Sequence, residues 1–153
     1  MRLRRTLLTL ALAAAVFGAA ASAQTPADRV DPFIGTTNFG TANPGAVTPH
    51  GMMSVVPFNV MGSEKNRFDK DSQWWSTPYS ADNKFFTGFA HGSLSGVGCP
   101  ELGGLVLMPT TGELNVDYKA YGSEYKDEVA HPGYYSNTLT KYNIKAEATA
   151  SMR

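Results

Sequence analysis

The sequence has little cysteine, little net charge and no long apolar run. Cys99 is the single cysteine, so no disulfide can form within the chain, and its side chain is either buried or a free thiol. The 13 basic and 13 acidic residues cancel, and the chain after residue 23 is about three units negative. This balance provides no basic patch for a nucleic acid and no attraction to an anionic membrane. The apolar run at 7–15 is shorter than the roughly 20 residues of a membrane helix.

Familiar patterns of catalytic and metal-binding residues are also missing. The three histidines are His50, His91 and His131, and none lies at metal-ligand spacing from another ligand. There is no Gly-x-Ser-x-Gly turn, and no helix-like segment follows the glycine-rich stretch 92–98, which argues against a nucleotide site. We interpret the acidic residues at 124–128 as a solvated face and His131 as an exposed turn residue. The residues alone therefore assign no catalytic group.

The first 23 residues have the order of a secretory signal peptide. Three arginines form a basic head, the apolar run follows, and Ala21 and Ala23 place small residues at the cleavage positions. We expect cleavage after Ala23, a secreted or periplasmic location, and one domain at 24–153.

Glycine, proline and β-forming residues dominate the remaining chain. Glycine and proline recur every few residues at 30–51 and 88–112, which leaves little room for long helices. We predict buried strands at 52–56, ended by Pro57, and at 105–108, ended by Pro109. Further strands are predicted at 134–141 and 144–149, with a hairpin turn at Tyr142 and Asn143. The pattern predicts an all-β sandwich, incomplete at its C-terminus because the last strand lacks a following partner.

Two adjacent tryptophans stand out in a polar stretch that we interpret as a surface loop. Trp74 and Trp75 would point in opposite directions in an extended segment. An exposed ring at this position offers a flat apolar face for a sugar. Packing of both rings in the core is the alternative, and the sequence leaves both open.

Ordered motifs along most of the chain resemble glycoside hydrolase family 92, the bacterial α-mannosidases. The resemblance begins with Val-Asp-Pro-Phe-Ile-Gly-Thr at 30–36. It continues with Asn-Pro-Gly-Ala at 43–46, Pro-His-Gly-Met at 49–52, Gly-Phe-Ala-His at 88–91, Leu-Ser-Gly-Val-Gly-Cys-Pro-Glu-Leu-Gly at 94–103, Leu-Met-Pro-Thr-Thr-Gly at 107–112 and Pro-Gly-Tyr-Tyr at 132–135. Any one of these motifs alone would be weak, but their shared order is specific.

The resemblance implies a plan and an activity. Family members have an N-terminal β-sandwich of the mutarotase-like supersandwich type, followed by a helical barrel domain. They are calcium-dependent, inverting exo-α-mannosidases that act on mannose-containing glycans, and the helical domain supplies both catalytic carboxylates and the calcium contacts. The resemblance therefore implies a substrate-facing domain that is inactive without its helical partner and binds no calcium itself. A stand-alone mannoside-binding module is the alternative.

The same resemblance indicates which residues would face the sugar. These substrate-binding candidates are Gly35, Thr36, Trp74, Trp75, His91, Ser95, Gly96 and Cys99. The glycines would let the backbone approach the sugar closely. His91 would either donate a hydrogen bond to a mannose hydroxyl or tie its loop to the backbone. No catalytic or metal-binding residue is implied within this chain.

Overall fold

The computed structural model describes residues 24–37, 40–60, 78–92 and 104–152. Eight strands lie in these ranges: β1 Ala46–Val47, β2 Ser54–Phe58, β3 Phe85–Phe86, β4 Gly88–His91, β5 Val106–Leu107, β6 Ser123–His131, β7 Tyr134–Leu139 and β8 Ile144–Thr149. A 3-10 helix at Pro26–Arg29 and a one-turn α-helix, α1, at Tyr118–Tyr121 complete the described elements. Within the described ranges, no helix is long and apolar enough to cross a membrane.

The strands form two antiparallel four-stranded sheets. The first has the order β1-β2-β4-β5 and the second the order β3-β6-β7-β8. Each long strand of the second sheet is joined to the next by a tight turn. Gly133 has φ 79° between β6 and β7, and Asn143 has φ 51° before β8, a conformation that glycine and asparagine tolerate best. This arrangement confirms the predicted all-β sandwich.

Aromatic side chains fill the space between the sheets. Phe89 of β4 packs edge-on against Phe86 and Tyr135 of the second sheet, with ring centroids 5.0 and 5.9 Å apart. Phe86 also meets Tyr125 edge-on at 6.0 Å, and Leu139 completes the buried cluster. Edge-to-face contacts of this kind stabilise a core beyond the area they bury. The core therefore joins the two sheets through their inward-facing rings.

All four predicted strands are observed, but three of them have other ends. The strand predicted at 144–149 is confirmed, and the strand predicted at 134–141 is observed as β7, which ends at Leu139. The strand predicted at 52–56 is observed as β2: it begins at Ser54, after the exposed Met52 and Met53, and continues through Pro57 to Phe58, so both predicted ends were wrong. Pro57 is tolerated because β1 pairs only with Ser54 and Val55, which leaves no described strand to receive an N–H from residue 57 on that side.

The second correction concerns the strand predicted to be buried at 105–108. It is observed as β5, but Val106 and Leu107 are both exposed, by 37% and 62%. β5 is the last strand of its sheet and pairs only with β4 in the described chain. An apolar run predicts a strand well, but its burial depends on neighbours distant in sequence.

Candidate functional site

The candidate pair Gly35 and Thr36 forms a turn after the 3-10 helix. Gly35 has φ 78° and is exposed, and its carbonyl accepts a hydrogen bond from the Ala42 N–H at 3.2 Å. Thr36 is 1% exposed and its hydroxyl donates to the Phe33 carbonyl at 2.7 Å. The turn therefore presents the backbone of Gly35 to solvent, while the Thr36 side chain holds the turn from within.

A segment at 78–83 holds this turn from behind. The Ala81 N–H donates to the Thr36 carbonyl at 2.9 Å. Asn59, which is fully buried just after β2, accepts from the Ser80 N–H at 2.8 Å and donates to the Ser80 carbonyl at 2.8 Å. Asn83 donates in return to the Asn59 carbonyl at 3.0 Å. The Asn59 side chain thus makes hydrogen bonds to the backbone of the 78–83 segment, which has no strand partner there.

The same segment is attached to the second sheet through a half-buried carboxylate. The Tyr79 hydroxyl donates to Glu128 Oε1 at 2.9 Å, and the Tyr135 hydroxyl donates to the same oxygen at 2.6 Å. Glu128 can turn inward because β6 carries a bulge between Lys126 and Val129, where Asp127 has φ 53°. The interpretation of 124–128 as a solvated face is therefore wrong for Glu128, although Glu124 and Asp127 are exposed.

The tyrosines around Glu128 are held in their neutral form. Burial raises the pKa of Tyr79, Tyr125 and Tyr135, and the nearby carboxylate of Glu128 raises each pKa further. The Tyr125 hydroxyl accepts from Asn59 Nδ2 at 2.9 Å and donates to the Asn83 carbonyl at 2.8 Å. Each phenol therefore acts as a hydrogen-bond donor, which makes the network a structural support rather than a source of nucleophiles.

His91 ends β4 and pairs across the sheet with Val55. Its ring lies against Gly104, where an added Cβ would come within 2.1 Å of Cε1, so a side chain at residue 104 would require the His91 ring to move. The His91 carbonyl accepts from the Gly104 N–H at 3.3 Å. The buried Nδ1 makes no hydrogen bond to any part of the chain that the structure describes. The ring is half-buried, consistent with either role predicted for it.

The two described candidate regions are attached to different parts of β2. The turn at Gly35 and Thr36 is held by the segment that Asn59 binds, beyond the Phe58 end of β2, whereas His91 pairs with Val55 near the other end. No hydrogen bond that the structure describes joins His91 to Gly35 or Thr36. The remaining candidates, Trp74, Trp75, Ser95, Gly96 and Cys99, lie outside the described residues. Sugar binding by any of the eight stays a prediction.

The residues that the sequence analysis missed are polar and lie inside the fold. Asn59, Ser80 and Asn83, which are buried, and Glu128, which is half-buried, form the support behind the Gly35 turn. The signal for Asn59 was its position directly after Pro57-Phe58, as a polar residue next to a predicted buried strand. Glu128 carried no signal, because its inward orientation depends on a bulge and on a tyrosine 49 residues away.

Comparisons with known proteins identify the family. The family model for the glycosyl hydrolase family 92 N-terminal domain matches residues 29–153. No curated protein matches the chain. A solved family GH92 α-mannosidase from Bacteroides thetaiotaomicron, BT3965 in complex with mannoimidazole, is 31% identical with a TM-score of 0.69, and the match covers 83% of this chain and 17% of that one.

Two further structures are similar. The GH92 family glycosyl hydrolase ccman5 is 29% identical with a TM-score of 0.63, covering 83% of this chain and 18% of that one. The family GH92 inverting mannosidase BT2199 of Bacteroides thetaiotaomicron is 19% identical with a TM-score of 0.58, covering 86% and 18% of the two chains, and supports the fold alone. The chain thus spans about a sixth of these relatives' length. With most of its residues matched by the family model, the chain belongs to glycosyl hydrolase family 92, within that family's N-terminal domain.

Proposed function

We propose that this chain is the substrate-facing N-terminal domain of a secreted or periplasmic exo-α-mannosidase that acts on mannose-containing glycans. The observation that carries the proposal is the 31% identity, over 83% of the chain, to an α-mannosidase solved with mannoimidazole. The chain matches only 17% of that enzyme, so the rest of the activity belongs to parts outside these residues. A helical domain that completes the site is part of the proposal.

The catalytic carboxylates of the proposed enzyme lie outside this chain. An inverting glycosidase needs an acid and a base roughly 6.5–9.5 Å apart, with room for a water. Among the described aspartates and glutamates, only Glu128 is withdrawn from solvent. One of its oxygens is taken by Tyr79 and Tyr135, and no second carboxylate shares its surroundings in the described network. The described chain therefore supports a role in shaping the site rather than in proton transfer.

Calcium, in this proposal, belongs to the helical domain. Ca²⁺ binds six to eight oxygen ligands, several of them usually carboxylates. No group of three or more histidine, cysteine, aspartate or glutamate side chains is close enough to hold a metal within the described ranges. No step of the reaction is therefore assigned to the described residues through the ion.

The sugar contacts proposed for this chain use the features on its surface. Gly35 exposes backbone that a sugar can approach closely, because no side chain intervenes. His91 offers an imidazole N–H to a sugar hydroxyl.

The native protein provides the test. An antibody raised against this chain is used to precipitate the protein from the medium and periplasm of its host. We expect a polypeptide several times larger than 16.4 kDa that releases mannose from an α-mannoside. The released mannose should have inverted anomeric configuration, and a calcium chelator should abolish its release.

Two results would count against the proposal. A band near the mass of this chain that binds mannosides but releases no mannose would indicate the stand-alone binding module instead. A large polypeptide without α-mannosidase activity would remove the proposed substrate class. A non-immune antibody controls for enzymes that precipitate nonspecifically.

A further inference from the structure

The connection between Glu128 and the Gly35 turn crosses the sandwich in three steps. Glu128 on β6 accepts a hydrogen bond from Tyr79 at 2.9 Å. Tyr79 belongs to the 78–83 segment, and two residues later the Ala81 N–H donates to the Thr36 carbonyl at 2.9 Å. A carboxylate on one sheet is thereby linked to the turn that presents Gly35.

Burial makes this link specific. Tyr79 is fully buried, Thr36 is 1% exposed and Ser80 is 3% exposed. A buried donor that loses its acceptor suffers the full desolvation penalty, so the segment has one favourable position relative to Glu128. A hydrogen bond to a charged acceptor is also stronger than one between neutral groups.

The other attachments of the segment have different partners. Asn59 holds the backbone of Ser80, and Tyr125 donates to the Asn83 carbonyl at 2.8 Å. Asn59 also donates its backbone N–H to the Pro78 carbonyl at 2.9 Å, so it contacts the segment on both sides of Tyr79. Glu128 differs from Asn59 in that it lies on the second sheet and holds the Tyr79 side chain.

We propose that Glu128 is a positioning residue for the sugar site: acting through Tyr79 and the 78–83 segment, it sets the position of the Gly35–Thr36 turn. The inference rests on the proposed function for the role of the turn, but the mechanical link stands on the hydrogen bonds alone. Glu128 itself does not touch the sugar. It acts through three intervening groups: the Tyr79 phenol, the Ala81 amide and the Thr36 carbonyl.

The test uses amide hydrogen exchange and sugar titration on the same samples of the chain, both followed by NMR. Tyr79→Phe removes the link and should raise the exchange rate of the Ala81 amide by about tenfold relative to amides of β8. Glu128→Ala should do the same, and Glu128→Gln, which keeps an acceptor oxygen, should restore most of the protection. The dissociation constant for methyl α-mannoside should rise in the first two variants and return in the third.

Tyr134→Phe is the matched control. It also removes one tyrosine–glutamate hydrogen bond, from Tyr134 to Glu147 at 2.6 Å, but on the solvent-exposed face of the same sheet. It should leave both the Ala81 exchange rate and the mannoside affinity unchanged. Tyr79→Phe and Glu128→Gln preserve most of the packing, so the test does not depend on Glu128→Ala folding.

Each outcome has a distinct meaning. Unchanged Ala81 exchange in Tyr79→Phe, or a uniform increase at all amides, would overturn the positioning role. Selectively faster exchange at Ala81 with unchanged mannoside affinity would overturn its link to the sugar site. If the unmodified chain binds no methyl α-mannoside while the exchange results hold, the turn's role in the proposed function fails and the positioning of the turn by Glu128 stands.

Discussion

Asn59 is a buried polar side chain that joins three parts of the fold. It is fully buried, and its amide makes four hydrogen bonds, two with Ser80 and one each with Asn83 and Tyr125. Its partners come from the connection between the sheets and from β6. Asn59 is therefore part of the core, although asparagine is a residue type that is common in turns.

Removal of that amide should lower the stability of the whole domain. We expect Asn59→Ala to reduce the free energy of unfolding by about 3 kcal/mol, because several buried groups lose their partners together. Asn115→Ala is the control, since Asn115 is exposed and its side chain accepts a local hydrogen bond, from the Asp117 N–H. It should cost less than about 1 kcal/mol. Urea unfolding measures both, and equal effects would contradict the core role of Asn59.

The buried tyrosines predict how stability changes in alkali. Tyr79, Tyr125 and Tyr135 have raised pKa values in the folded chain, so their stabilising contribution is complete below the unfolded pKa of about 10 and is lost as the pH rises above it. The free energy of unfolding should fall by about 1.4 kcal/mol per pH unit for each tyrosine. In Tyr79→Phe, the free energy of unfolding should fall less steeply with pH, by about 1.4 kcal/mol per pH unit, because one titrating group is removed. A slope that is identical in the variant would contradict the account.

At the scale of elements, the β4–β5 pair depends on Gly88. This residue has φ 142°, and an added Cβ would lie 2.6 Å from Val106 Cγ1 and 2.9 Å from the Leu107 carbonyl oxygen. The two strands can pair only because residue 88 has no side chain. Gly92, at the other end of β4, has φ 70°, but no atom of the described residues lies within 4 Å of its Cβ position.

These two glycines allow steric conflict to be separated from backbone strain. Gly92→Ala should lower the free energy of unfolding by about 1 kcal/mol through its left-handed conformation alone. Gly88→Ala should lower it by about 2 to 4 kcal/mol, because contact with β5 adds to the strain. Thermal unfolding of both variants measures the difference. Equal effects would show that Val106 and Leu107 do not constrain residue 88.

The elements also differ in how far sequence predicts them. The β7–β8 hairpin follows from local information, because residues 144–149 alternate apolar and polar side chains and Asn143 suits a turn. Strand β6 was not predicted, because its bulge places Lys126 and Asp127 on solvent and turns Glu128 inward. The end of β2 depended on the length of β1, which no local pattern reveals. The candidate site shows the same division: the Gly35 turn was predictable from its motif, but its buried support was not.

At the scale of the whole molecule, the N-terminal segment predicts export. Cleavage after Ala23 would give a mature chain that begins at Gln24. Mass spectrometry of the protein recovered from the medium or periplasm should find this terminus. Ala21→Arg, which places a large charged residue at a cleavage position, should leave the segment attached. A mature protein that still begins with Met1 would contradict the prediction.

We propose that this chain forms part of the surface around a bound mannoside, and that the catalytic carboxylates lie outside this chain. The most direct measurement is an assay for mannose release from an α-mannoside by the purified chain, with and without added calcium. The account predicts no release above the rate without protein under either condition. Release of mannose by the chain alone, abolished by Glu128→Gln, would place a catalytic carboxylate within these residues and contradict the account.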